Sequence, residues 1–345
     1  MNKLLSLLIF IITVGLLFNI GCDPGDYDVN NFVYLEASRI EDVSSFNGLT
    51  DSSWNLIDEL TVYVTSFDQM CGGMMGCGMM GQGNFGDQEK VSIKSQYSDT
   101  HVYMLFRWPD NEKSMNRMYQ YNGENWGKTE GNEDRFNIAW DIGESSPNFY
   151  MMGCMASCHY MMTDEPYMAT NYSDEKLDLW HWKSQRTDPA GYADDQFIQS
   201  EVDFSADEIT GRKADDKTGG SYVSNWDSEM QRPLYAPSDG NYVKRGLLKT
   251  AAVEITDYSI FKEGDMIPRE ILERPTGSRG DISAEAEWSD GYWTLMLSRA
   301  LETENSDDVG FDIDETYPFA VSVHDNGHGI EHLTMPHTAY LSFDK

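Results

Sequence analysis

At 345 residues, with 40% hydrophobic and 12% aromatic content, the chain can bury a sizeable core in one large domain or two smaller ones. Its formal net charge of -33 repels nucleic acid and anionic lipid headgroups, so a docking partner should be neutral or basic where it touches. The same acidity would keep an exported protein soluble.

The amino terminus reads as an export signal. Met1 is followed by one positive charge, Lys3, and an almost unbroken apolar run from Leu4 to Phe18. That run is shorter than the ~20 residues a membrane-spanning helix needs. It ends at Asn19-Ile20-Gly21-Cys22, which resembles the lipobox of bacterial lipoproteins, with Asn19 where leucine is usual. A signal peptide over residues 1–21 and a lipid on Cys22 are therefore expected, making the protein a periplasmic, membrane-anchored lipoprotein. Asp23 resembles the residue that retains some lipoproteins on the inner membrane. Residues 22–32 would form a short acidic tether, and 33–345 the folded part.

After the tether the periodicity is that of strands. Leu60 to Thr65 is the first candidate, followed by the loop Cys71-Gly-Gly-Met-Met-Gly-Cys-Gly-Met-Met-Gly. Cys71, Cys77, Met74, Met75, Met79 and Met80 are soft donors of the kind that favours Cu(I). The other reading is a Cys71–Cys77 disulfide, with methionines filling irregular gaps around a large apolar group. Val91, Ile93, Ser95 and Tyr97 then alternate with polar neighbours, Ser98-Asp99-Thr100 makes a turn, and Val102, Met104, Phe106 and Trp108 resume the two-residue repeat. This predicts a hairpin. Asn137 to Trp140 is a further strand candidate.

Gly153-Cys-Met-Ala-Ser-Cys-His-Tyr carries the strongest chemical signal. Two thiols followed at once by histidine are how a c-type cytochrome holds haem: Cys154 and Cys158 would add to the vinyl groups, and His159 would become the proximal iron ligand. The spacer is three residues where two are usual, which lengthens the loop between thioethers and leaves the histidine beside the second cysteine. A disulfide or a small metal site are the alternatives for the same thiols. Beyond it, Leu177 to Trp182 is too short and too aromatic to assign to a helix, and residues 206–240 turn polar, as a surface excursion within the domain. Tyr292 to Ser298, Pro318 to His324 and Thr338 to Phe343 complete the strands. Many short strands separated by Gly, Asn and Asp predict an all-β fold, a β-sandwich with long loops.

Asp178-Leu-Trp-His-Trp-Lys183, with Arg186-Thr187, Pro189 and Gly191-Tyr-Ala-Asp-Asp195, resembles the haem-binding domain related to the ethylbenzene dehydrogenase gamma subunit. The resemblance continues in Arg107-Trp-Pro-Asp110, Asp290-Gly-Tyr-Trp-Thr294, Arg299-Ala300 and Tyr317-Pro-Phe-Ala320, from about Val33 to Lys345. It implies an immunoglobulin-like β-sandwich that carries one haem and passes electrons, often beside a molybdenum oxidoreductase. The gamma subunit itself holds a non-covalent haem between methionine and lysine, whereas the cysteine pair makes this chain resemble a c-type branch.

For the second axial ligand, Glu331-His-Leu-Thr-Met-Pro-His337 resembles the family segment with histidine two residues before Ser or Thr and four before Pro, which points to His332. Met335 would offer sulfur and raise the potential, since axial ligands move haem potentials over about 0.8 V. His181 is a third candidate, with burial in an aromatic core as its plain alternative, and Lys183 could pair with a haem propionate. No phosphate-cradling loop, nucleophile elbow or zinc-protease motif is present. The sequence thus predicts an electron carrier and not an enzyme: a lipid-anchored c-type cytochrome whose partner is a redox protein or a membrane quinol-linked complex. The alternatives are a haem-bearing accessory subunit of a molybdenum oxidoreductase and a copper-binding sandwich without haem.

Overall fold

A computed structural model of the chain describes residues 33–66, 88–149, 153, 159–160, 167–206, 209–327 and 332–345. In chain order its strands begin with β1 (Val33–Arg39), β2 (Leu60–Ser66), β3 (Glu89–Tyr97), β4 (His101–Pro109), β5 (Met118–Tyr121), β6 (Trp126–Lys128) and β7 (Arg135–Asp141). The middle of the chain supplies β8 (His159–Tyr160), β9 (Tyr167–Met168), β10 (Leu177–Lys183), β11 (Asp194–Ile198), β12 (Arg212–Ala214), β13 (Gly219–Ser224), β14 (Tyr235–Pro237) and β15 (Ala252–Glu254). The remainder are β16 (Met266–Pro268), β17 (Glu270–Thr276), β18 (Ser283–Ser289), β19 (Tyr292–Ala300), β20 (Tyr317–His324), β21 (Leu333–Thr334) and β22 (Ala339–Phe343). The fold is an all-β sandwich, and helix among the described residues is confined to short 3-10 turns and isolated positions.

One layer runs β18-β19-β4-β3 and the other β12-β11-β10-β7-β20. Two strands join the layers along one side. β1 pairs with β22 of the second layer at its start and with β3 of the first at its end, and β2 leaves β3 to pair with β21 through Thr65 and Ser66. The predicted hairpin forms between β3 and β4, with Ser98 Oγ receiving the backbone N–H groups of Thr100 and His101 at 3.3 and 3.0 Å.

Alternation builds the core. Trp293, Leu295 and Leu297 of β19 meet Trp108 and Phe106 of β4, and across the gap stand Phe136, Ile138 and Trp140 of β7 with Trp180 and Trp182 of β10. Trp182 packs edge-on against Trp293 at 4.9 Å, a geometry that suits the aromatic quadrupole. Arg299, two residues beyond Leu297 on the same face, reaches across the core. Its guanidinium donates to Asp178 of β10 at 2.7 Å and Asp195 of β11 at 3.2 Å, and stacks 4.8 Å from the Trp180 ring.

Asp134, just before β7, is also fully buried. It accepts from the Ser114 N–H at 2.6 Å, the Trp293 indole at 3.1 Å and the Asn326 N–H at 3.2 Å. Burial first, then the charge of Asp110, pushes its carboxyl up to about 7, and burial pushes Asp110 itself to about 6. Both lie above the ~3.9 of an unfolded aspartate. The native state therefore holds more protons than the unfolded chain between about pH 4 and 7, and this contribution to stability is lost as pH rises through that window. Asp134→Asn should flatten the pH dependence of the urea midpoint relative to the natural protein. Identical slopes for the two proteins would contradict the assignment.

Candidate functional site

β7 and β10 are buried on both faces, and the face turned away from the core builds the site. Register places Leu177, Leu179, His181 and Lys183 of β10 opposite Asp141, Ala139, Asn137 and Arg135 of β7. On the flanks, β20 contributes Ala320, Ser322 and His324, and β11 contributes Asp194, Gln196 and Ile198. One half of this outer face is therefore apolar: Ala139, Leu177, Leu179, Ile198 and Ala320 form a separate buried cluster under Phe149 and Met168. The other half is polar and carries histidine.

Gly153, the residue before the cysteine pair, packs on the apolar half. It donates its N–H to the Phe149 carbonyl at 2.9 Å. A Cβ placed on it would sit 3.0 Å from Ala320 Cβ and 3.4 Å from the His337 carbonyl oxygen, so glycine permits this close approach to β20. Its φ of +58° is a second reason for glycine here. Downstream, β8 holds His159 opposite Met168 of β9, and Met168 packs on the same apolar cluster.

Three imidazoles line the polar half. The His181 and His324 rings are 6.5 Å apart, and His324 stacks on His332 at 4.7 Å. Asn137 Nδ2 donates to Ser322 Oγ at 3.1 Å and lies 3.0 Å from His324 Nε2, which fixes that ring. His181 Nδ1 lies 3.1 Å from Gln196 Oε1, while its Nε2 is buried and has no hydrogen-bond partner among the described residues. Desolvation, then the cations Lys183, Arg212 and Arg135, hold His181 well below the usual imidazole range, so the ring is neutral at neutral pH. A neutral imidazole with Nδ1 tied to an acceptor and Nε2 bare has the donor arrangement of a metal-ligating histidine.

Beside the histidines, Lys183 is paired with Asp194, which also accepts from Arg279 at 3.1 Å. Burial pushes Asp194 up, but Lys183 and Arg279 outweigh it and hold the carboxyl below its ordinary range. Glu133 is bound by Arg186 in the same way, and its carboxyl is likewise low despite complete burial.

The residues expected from sequence thus fall into three groups. Cys22, Cys71, Met74, Met75, Cys77, Met79, Met80, Cys154 and Cys158 lie outside the described residues, as does the signal segment. Of His159 only the backbone pairing is described. His181 and His332 meet on the outer face, with His324 between them. Two expectations change. Met335 is fully buried in the core cluster, its sulfur against the Val321 N–H at 3.4 Å, so it points inward, away from the histidines. Lys183 is already neutralised by Asp194. His324, Asn137 and Gln196 were missed, although Pro318-Phe-Ala-Val-Ser-Val-His324 alternates in a way that puts Ser322 and His324 on one face.

Residues 52–332 match the ethylbenzene dehydrogenase family. The chain belongs to the ethylbenzene dehydrogenase family. The matched span includes Cys154, Cys158, His159 and His181, and its last residue is His332. No curated protein is similar in sequence. Among solved structures, a putative carbohydrate-binding protein from Bacteroides uniformis ATCC 8492 aligns over 91% of this chain and all of its own, at 8% identity and a TM-score of 0.38. A family 9 carbohydrate-binding module from Caldicellulosiruptor kristjanssonii, solved with glucose, aligns over 90% of this chain and 95% of its own, at 8% identity and 0.33. Scores this low carry neither the details of the fold nor the ligand over to this ethylbenzene dehydrogenase family member. Among its described residues no helix is long and apolar enough to cross a membrane.

Proposed function

We propose that this family member is an exported, lipid-anchored electron carrier with one covalent haem c. Cys154 and Cys158 would hold the group through their thiols, and His159 and His181 would offer imidazole nitrogens to its iron. The observation that carries this reading is the bare, buried Nε2 of His181 beside an apolar platform, on the face against which the residue before Cys154 is packed. The residues fit the group. Ala139, Ala320, Leu177, Leu179 and Ile198, closed over by Phe149, give the neighbourhood of His181 an apolar character, and the neutral imidazole is ready to donate a lone pair. Haem bound there supplies a one-electron ferric–ferrous couple.

The chain's own part is to hold and to insulate. Gln196 fixes the tautomer and tilt of His181, and the tryptophans on the core side of β7 and β10 keep these strands rigid. Asn137 anchors His324, on which His332 stacks as a lid at the outer edge. With a net charge of -33, the redox partner presents a neutral or basic face; a molybdenum oxidoreductase and a quinol-linked membrane complex are the partner classes to test by co-purification.

The test is chemical. Protein made in a host with a cytochrome maturation system should keep its haem through acid-acetone extraction, and its intact mass should include one haem. Cys158→Ala should lose retention almost completely. Full release of pigment from the natural protein would end the c-type reading.

A further inference from the structure

At the end of the core marked by Arg299, carboxylates outnumber cations. Asp178, Asp195 and Asp308 each place an oxygen within 4.8 Å of the others, and Asp215, Asp307 and Asp308 form a second such group that shares Asp308. Asp178, Asp195, Asp215 and Asp308 are buried, and Asp307 is half-buried. Arg299 is the cation in contact with Asp178, Asp195 and Asp308.

The hydrogen bonds divide each buried carboxylate in two. Oδ2 of Asp178 accepts from Arg299 and from the Val309 N–H, at 2.7 and 2.9 Å, and Oδ2 of Asp195 accepts from Arg299 at 3.2 Å. Oδ2 of Asp215 accepts from Ser278 Oγ at 2.7 Å, and Oδ2 of Asp308 from Asn305 Nδ2 at 3.1 Å. The Oδ1 atom of all four is shielded from solvent and has no hydrogen-bond partner among the described residues. A buried carboxylate oxygen left in this way is costly, and the one arginine contacts three of these four carboxylates and not Asp215.

We propose that Asp215, Asp307 and Asp308, backed by Asp178 and Asp195, bind one hard divalent cation of the Ca2+ class. Two oxygens on an ion with metal–oxygen distances of about 2.4 Å can be no more than ~4.8 Å apart, and both carboxylate groups meet that limit. The donor set is all oxygen, which disfavours zinc or copper, and its irregular arrangement suits Ca2+ better than the strict octahedron of Mg2+. Arg299 occupies the Oδ2 side of Asp178 and Asp195 and lies 3.7 Å from Asp308 Oδ1, so the ion belongs on the far side of Asp308, nearest Asp215 and Asp307, where half-exposed Asp307 gives it an entrance. Bound there, it ties β10, β11 and the exit of β12 to the loop after β19.

The experiment uses the full chain stripped with EGTA and titrated with CaCl2 by calorimetry, alongside thermal unfolding with and without Ca2+. One site per chain is expected, with Tm raised by about 4 °C at a hundredfold excess over Kd. MgCl2 should bind at least tenfold more weakly. Asp308→Asn is buried and could unfold the chain, so the deciding variant is Asp307→Asn. It should weaken Ca2+ binding at least tenfold and leave the Tm in EGTA unchanged or higher. No heat and no Tm shift with CaCl2 would overturn the proposal, as would an Asp307→Asn protein that binds Ca2+ as tightly as the natural one.

Discussion

Arg299→Met should destabilise the protein by about 3–5 kcal/mol, measured as a fall in the urea midpoint with EGTA present. Methionine fills much of the same space beside Trp180, so a cavity is not the main term. The loss comes from charge: the guanidinium is wholly buried, and without it Asp178 and Asp195, whose carboxyls burial already pushes up, lose the cation that favours their charged forms between two sheets. The double variant Arg299→Met/Asp178→Asn should recover a large part of the deficit, because it removes one of the stranded charges while the Asn oxygen can still accept from the Val309 N–H. A single-variant loss below about 1 kcal/mol would show that these carboxyls are protonated in the native protein and that the arginine is not holding them.

His181→Ala, in protein carrying haem, should convert a six-coordinate low-spin spectrum into a high-spin one, visible in the Soret region and by low-temperature EPR. It should also shift the midpoint potential, because loss of an axial nitrogen alters the balance between ferric and ferrous iron. His332→Ala should keep the low-spin spectrum, since in the proposed arrangement that ring packs on His324 without binding iron. Gln196→Ala separates positioning from ligation: it removes the acceptor at Nδ1 and should move the potential while the iron remains low-spin. The reverse pattern, a spectrum that survives His181→Ala and collapses in His332→Ala, would transfer the distal role to His332.

The tryptophan-rich block from Asp178 to Asp195 was readable as a family signature, and the structure explains why these residue types stand there. Trp180 and Trp182 fill the core, Asp178 and Asp195 meet Arg299 across it, Lys183 meets Asp194, and Arg186 meets Glu133. The signature is thus largely a set of buried ion pairs and large side chains, with His181 on the opposite face. The β3–β4 hairpin was readable for a different reason. Most of its inward positions are apolar and its turn is local, so period and turn chemistry agree.

β10 resisted the same reading because both its faces are covered. Leu177 to Lys183 is buried at every position, so polarity does not alternate along it, and strand period is then invisible. Residues 206–240 likewise read as a polar excursion but hold β12, β13 and β14, short strands of which β12 adds to the edge of β11, β13 pairs with the distant β17, and β14 pairs with another short strand, β15. His324 escaped notice because a single histidine in a strand has no local signature; only pairing with β7 brings it to Asn137.

Sequence alone determined an all-β chain of this family and the chemical types available to it: paired thiols next to a histidine, an export-like leader and an excess of acid. These are local facts, set by spacing and period. Tertiary structure decided that His181 Nε2 is buried without a hydrogen-bond partner among the described residues, that Met335 turns inward, and that Asp178, Asp195, Asp215 and Asp308 share one end of the core. Contacts across sheets depend on which strands pair, and a two-residue period says which face a side chain is on but not what lies opposite it.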